Sequence, residues 1–213
     1  MSDEIIFYTN AMSRGRIVRW MLEEVGQPYR TELIDFGPMM KVPAYKAINN
    51  MGKVPSLKHG DAIVTEAGAI CAYLADAFPA AGLAPPPTSR ARAPYYRWMF
   101  FAAGPIEAAV VNGSLNFTPP ADMEGRVGYG SMAAVLDTLE KALSHDHFIA
   151  GDKFSAADVY FGSHIGWGMM FGGLEKRPAF ERYWARIGNR PAAIKARAID
   201  DAILAEQKAK APA

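Results

Sequence analysis

Residues 79–88 read PAAGLAPPPT, and that stretch limits what the rest of the chain can become. Proline cannot continue a helix, and a run of prolines favours extended backbone. The segment therefore reads as a linker, and the chain of 213 residues is expected to fold in two parts. The expected division is residues 1–79, a linker at 80–88, and residues 89–213. The two sides differ in pattern. EIIFYT (4–9) is an apolar run of β-branched and aromatic residues, the mark of a short buried strand. From Ser13 the apolar positions change period to Ile17, Val18, Met21, Leu22 and Val25, a helix stripe that Gly26 is placed to close. PYRTELIDF (28–36) reads as a second strand and MMKVPAYKAINNMG (39–52) as a short helix. VPSLKHGDAIVTEAG (54–68) reads as two strands around an HGD turn, and EAGAICAYLADAFP (66–79) as a helix ended by Pro79. The order is β-α-β-α-β-β-α. Beyond the linker only helical patterns occur: 89–117 with a kink at Pro105, 123–145, 154–172, and one or two helices in 178–209. The fold class is thus a small α/β part followed by an all-α part.

Half of the residues are hydrophobic, enough for a substantial core, and the formal net charge is +1 with both signs interspersed. That balance argues against a nucleic-acid partner, which needs a clustered basic face. Cys71 is the only cysteine, so no intrachain disulfide forms and a cytoplasmic setting fits. The opening MSDEIIFYTN has acids before its apolar run and no basic segment, unlike a secretory signal. No apolar run reaches the roughly 18 residues of a membrane span. The closing AEQKAKAPA is polar and expected to fray.

Four short stretches carry chemistry. Ser13 stands where a strand hands over to a helix; it is either an N-cap or a hydroxyl that faces an anion beside helix-start N–H groups. In NNMGKVPSL (49–57), Pro55 opens a strand. A cis bond there would leave the Val54 backbone unpaired for an extended peptide to dock on. In VTEAGAICAYL (64–74), Thr65 is a fair N-cap and Glu66 lies in the first turn. Helix-start N–H groups with a carboxylate suit a ligand that bears both an ammonium and a carboxylate. In FIAGDKFSAADV (148–159), Ser155 and Asp158 have capping-box spacing, with Phe154 placed as a hydrophobic staple. HDH (145–147) lacks further metal ligands nearby, and His164 reads as an interior group.

These stretches together resemble the cytosolic glutathione S-transferase family, in particular its bacterial, serine-type, theta-like members. The specific parts are SRGRIVRWMLEEVG (13–26), MGKVP (51–55), TEAGAICAYLADAFP (65–79) and FIAGDKFSAADV (148–159), and the likeness spans essentially the whole chain. The resemblance implies a thioredoxin-like N-terminal domain and a helical C-terminal domain that contributes an electrophile pocket. It implies glutathione as co-substrate, with no metal and no membrane, in a cytoplasmic homodimer engaged in detoxification. The γ-glutamyl head would meet Glu66 and the backbone of Ala67. Many relatives carry serine at the Ala67 position, and the missing hydroxyl costs one ordinary hydrogen bond, about 1 kcal/mol. The cysteinyl part would pair with Val54 beside a cis Pro55, and the glycyl carboxylate would meet Lys41 or Lys53.

A free thiol has a pKa near 8.5, and each unit of depression corresponds to about 1.4 kcal/mol. By resemblance Ser13 would supply part of that. Tyrosine-type members place their tyrosine where this chain has Asn10, which could donate a hydrogen bond to the sulfur but cannot act as an acid, and Tyr8 lies two residues too early. No cysteine lies near the turn, which disfavours exchange through a protein thiol. Met12 would line the electrophile pocket, with candidates among Tyr95, Trp98, Met99, Phe101, Phe117, Trp167 and Met170 of the helical part. The alternatives are a glutathione-dependent isomerase or dehalogenase on the same fold, or a non-enzymatic glutathione-binding module.

Overall fold

The structure, a computed structural model, describes residues 3–145 and 147–210. In chain order it runs β1 (Ile5–Thr9), α1 (Gly15–Val25), β2 (Arg30–Leu33), α2 (Pro43–Lys46), β3 (Ser56–His59), β4 (Ala62–Thr65) and α3 (Ala67–Ala77). Then come α4 (Arg92–Phe101), α5 (Glu107–Ser114), α6 (Met132–Ala142), α7 (Ala156–Phe171), α8 (Pro178–Ile187) and α9 (Pro191–Lys210). Two compact units result. One takes in the chain up to Ala81 together with the segment from Pro191 onward; the other runs Gly82–Arg190.

The first unit has the thioredoxin-like arrangement. Its sheet has the order β2-β1-β3-β4. β1 runs parallel to β2, with Ile6 opposite Arg30, and antiparallel to β3, with Tyr8 opposite Ser56. A parallel pair needs a crossover connection, and α1 supplies it. The stripe read from the sequence is the buried one: Ile17, Val18, Met21, Leu22 and Val25 all lie inside. Gly26 ends α1 in the left-handed region (φ 73°) and returns its N–H to the Leu22 carbonyl. Pro38–Lys41 is a single tight turn, so the helix expected over 39–52 shrinks to the four residues of α2. The C-terminal α9 packs in this unit: its Asp200 forms an ion pair with Arg19 of α1 at 2.8 Å.

The second unit is all-helical. Pro105 splits the helix expected over 89–117. Proline has no N–H to donate, and residues Ala102–Ile106 absorb the gap as one widened turn between α4 and α5. Over the expected 123–145 helix, Ala121–Arg126 forms a 3₁₀ segment and α6 starts only at Met132, past the turn at Gly130. α6 is capped by Ser131, whose Oγ accepts from the Ala134 N–H. The polar run expected to fray continues α9 as far as Lys210, with Glu206 and Lys210 paired one turn apart. The last three residues of AEQKAKAPA lie outside the described residues, as does Asp146 of HDH. Among the described residues, no helix is long and apolar enough to cross a membrane.

The capping box at the start of α7 is present, and it is more than a cap. Asp158 is fully buried. Its Oδ2 accepts from the Ser155 N–H at 2.9 Å and the Ser155 hydroxyl at 3.1 Å. Its Oδ1 accepts from the Ile149 N–H and the Tyr183 hydroxyl, both at 2.8 Å. One carboxylate thus ties the 148–155 loop, α7 and α8 together. Burial pushes its pKa up, while the surrounding donors pull it back down.

Asp158→Ala strands these donors in the interior and should cost about 3–5 kcal/mol of stability, read by urea unfolding. The pH profile carries a second signature. A carboxyl whose folded pKa lies above its unfolded value of about 3.9 stabilises fully below that value and loses the contribution as pH rises through the folded pKa. Asp158→Asn, which cannot ionise, should remove that slope.

Candidate functional site

The turn between β1 and α1 is built almost wholly from side chains bonded to backbone. Asn10 is buried; its Oδ1 accepts from the Met12 N–H at 3.0 Å and its Nδ2 donates to the Ile34 carbonyl at 3.1 Å. The Ser13 N–H donates to the Asn10 carbonyl at 3.0 Å. The Ser13 hydroxyl donates to the same carbonyl at 2.7 Å and accepts from the Gly15 N–H at 2.9 Å. Gly15 must lack a side chain, because a Cβ there would collide with Thr9 Oγ1 and lie 3.0 Å from Ser13 Oγ. Ser13 is half-buried, and Met12 beside it is 67% exposed.

Ser13 therefore serves the start of α1 from one residue ahead of the N-cap position, which Arg14 occupies with no side-chain cap to the helix. In this arrangement the hydroxyl proton is committed to the Asn10 carbonyl. A serine hydroxyl is a single rotatable donor, and α1 presents first-turn N–H groups beside it. Asn10, engaged at both ends, is a clasp of the turn.

Facing β1 along the sheet is the 49–56 loop. Val54–Pro55 is cis. Tyr45 Oη donates to the Lys53 carbonyl at 2.6 Å, and Asn49 Nδ2 donates to the same carbonyl at 2.8 Å. In a planar trans peptide the C=O and N–H point opposite ways. With the Lys53 carbonyl bound on one side, the Val54 N–H is turned to the other. β3 begins only at Ser56, so Val54 lies outside the ladder. Burial raises the Tyr45 pKa, which keeps that hydroxyl a donor. Tyr8 is half-buried, its ring 5.9 Å from that of Tyr45.

Lys41 Nζ donates to the Met51 carbonyl at 3.1 Å and the Gly52 carbonyl at 3.3 Å, so it braces this loop. Lys53 is exposed. Glu66, exposed at the start of α3, has φ 68° and ψ 121°. A non-glycine residue there costs on the order of 1–3 kcal/mol, the kind of strain that clusters at ligand sites. Glu66, rather than Thr65, is the N-cap, and Thr65 is the last residue of β4. Ala67 is buried behind it.

Ser13, Val54, Pro55, Glu66, Ala67, Lys41 and Lys53 all belong to the first unit. In the second unit, Trp98 is packed against Phe101 and Phe161, and Tyr95 and Met99 are core. Phe117 (50%) and Met170 (63%) are exposed. His164 is interior. Cys71 is fully buried, and burial drives its thiol pKa up. Among the described residues, no group of three or more His, Cys, Asp or Glu is placed to hold a metal ion. The sequence reading weighed Asn10 only as a donor to the sulfur, and the clasp roles of Asn10, Arg16, Tyr45 and Asn49 escaped it. For the two asparagines the signal was present, since asparagine bonds its own backbone two residues on.

Comparison with known proteins agrees with the fold. Residues 11–77 match the glutathione S-transferase N-terminal domain, and residues 129–191 match the glutathione S-transferase C-terminal domain. The chain is 30% identical to glutathione S-transferase GstA of Escherichia coli O157:H7 over 173 residues, covering 76% of this chain and 78% of that protein. It is 27% identical to the disulfide-bond oxidoreductase YghU of Escherichia coli K12, over 91% of this chain and 74% of that one. A sphingomonad glutathione S-transferase solved in complex with glutathione superposes with a TM-score of 0.74 at 27% identity, covering 92% of this chain and 98% of that chain. The chain belongs to the glutathione S-transferase family.

Proposed function

We propose that this protein binds glutathione along the Val54 edge of its first unit and ionises the thiol at the β1–α1 turn for attack on a small apolar electrophile. The observation that carries the reading is the Ser13 hydroxyl, half-buried where α1 opens and bonded at 2.7 Å to one backbone carbonyl. On binding, that hydroxyl turns from the Asn10 carbonyl to the sulfur. The Asn10 carbonyl keeps the Ser13 N–H as a partner, so the exchange leaves no buried acceptor bare. The thiol proton leaves to solvent, the sulfur anion accepts the Ser13 hydrogen bond, and the first-turn N–H groups of α1 add a favourable field. The anion then forms a bond to an electrophilic carbon, which expels its leaving group or passes its π electrons to a neighbouring atom that takes up a proton.

The rest of the tripeptide follows the same chemistry. The γ-glutamyl ammonium meets the Glu66 carboxylate, and its carboxylate meets N–H groups at the start of α3. The cysteinyl backbone pairs with Val54 beside Pro55, and the glycyl carboxylate meets Lys41 or Lys53. The exposed Met12 side chain provides adaptable apolar contact for the electrophile. By family likeness the protein acts in the cytoplasm as a homodimer.

A second reading, disulfide exchange, is favoured by the similarity to YghU. Cys71 cannot be its thiol, being buried and held protonated, so exchange would run between glutathione sulfurs at the same turn. Turnover of a small mixed disulfide, set against conjugation of an aryl halide, separates the two.

Ser13→Ala should raise the apparent pKa of the bound glutathione thiol by about one unit, worth about 1.4 kcal/mol. Ultraviolet titration of the thiolate reads it. An unchanged pKa would assign Ser13 to the turn alone. Glu66→Gly should act in opposite directions on stability and binding. Glycine relieves the positive φ and stabilises by about 1 kcal/mol. The lost charged contact should raise KM for glutathione about tenfold or more with kcat nearly unchanged.

A further inference from the structure

We infer that Arg16 is a positioning residue for the thiol site, held in that role by Asp201 of the C-terminal helix. The inference rests on the Ser13 reading above. Arg16 Nε donates to the Ala11 carbonyl at 2.6 Å. The other polar end of the same peptide unit, the Met12 N–H, is held by Asn10 Oδ1 at 3.0 Å. Both ends of the Ala11–Met12 peptide are thus fixed by side chains, directly ahead of the residue whose hydroxyl faces the sulfur. Ala11 is fully buried, so without Arg16 its carbonyl would need another donor or the peptide would rotate to find one.

The second prong of the guanidinium, Nη2, lies 2.7 Å from Asp201 Oδ1. Neighbouring Asp200 grips Arg19, three residues further along α1, at 2.8 Å. Two consecutive acids of α9 therefore hold two arginines on one face of α1. A planar guanidinium can serve a carbonyl and a carboxylate at once in fixed directions; an ammonium cannot reproduce that fork. Arg16 does not touch the sulfur in this scheme. It fixes the backbone from which Ser13 projects, so that the hydroxyl has two orientations to exchange between rather than many. The Asp201 carboxylate is 66% exposed, so its share is the smaller one and is screened by salt.

The test is the thiolate titration of bound glutathione on Arg16→Gln, Arg16→Lys, Asp201→Asn and Ser13→Ala, with thermal unfolding measured alongside. Expected is a rise of about one pKa unit, tenfold less thiolate below the midpoint, in Arg16→Gln. Arg16→Lys should restore only part of it, and Asp201→Asn should rise in the same direction by less. A wild-type pKa in Arg16→Gln, with Ser13→Ala raised, overturns the inference and leaves the Ser13 reading standing. Full restoration by lysine overturns it in favour of charge alone. No shift in Ser13→Ala overturns both. If Arg16→Gln does not fold, the exposed Asp201→Asn decides: a raised pKa supports the relay and an unchanged one overturns it.

Discussion

A guanidinium with 2% of its side chain exposed lies at the centre of the first unit, and its neutralisation organises what surrounds it. Arg19 projects from α1 toward Phe7 of β1. Its charge meets Asp200 of α9 at 2.8 Å, its Nη1 reaches the Tyr29 hydroxyl at 3.2 Å and Thr31 Oγ1 at 3.3 Å, and it sits 5.2 Å from the centre of the Phe7 ring. The Tyr29 hydroxyl in turn donates to Glu23 Oε1 at 2.6 Å, and Glu23 is closed by Lys195 of α9. Burial and Glu23 push the Tyr29 hydroxyl up to about 12, so it remains a donor. Burial likewise raises the Asp200 carboxyl, with Arg19 pulling it back. Losing one member of such a pair leaves a bare buried charge, a penalty of about 3–5 kcal/mol. The pair thereby fixes α1 against α9, and α1 is the helix whose first turn faces the proposed sulfur.

This explains why the last stretch of the chain belongs with the first. An amphipathic pattern reports that a helix buries one face but not against what. The helices in 178–209 were legible; the partner of the second was not, because Asp200 and Arg19 are 181 residues apart. Elsewhere the sequence was more informative. The change of period after Thr9, the proline at 55 and the Ser155–Asp158 spacing each have a local physical cause, and each led to the element found. Two features of the site were hidden for a definite reason. Glutamate is not a residue one places at φ 68°, so the strained entrance to α3 had no signal. The Ser13 hydroxyl bond to the Asn10 carbonyl depends on the path of a turn, which composition does not specify.

The two sides of the proposed site use opposite devices. At Glu66 the backbone is strained and the carboxylate is exposed, so the fold gives up stability where a ligand head is to be met. At the β1–α1 turn almost every polar group already has a partner, and the one that can change partner is the hydroxyl of Ser13. Ionising a thiol requires a donor that is present in advance and whose departure costs little elsewhere. A serine that shares a carbonyl with its own N–H meets both conditions.

The most direct measurement is a crystal structure of this protein with glutathione bound. The account predicts the sulfur within about 3.5 Å of Ser13 Oγ, the hydroxyl turned away from the Asn10 carbonyl, and the cysteinyl backbone paired with Val54. Glutathione seated with its sulfur beside Tyr8, and Ser13 still donating to Asn10, would contradict it.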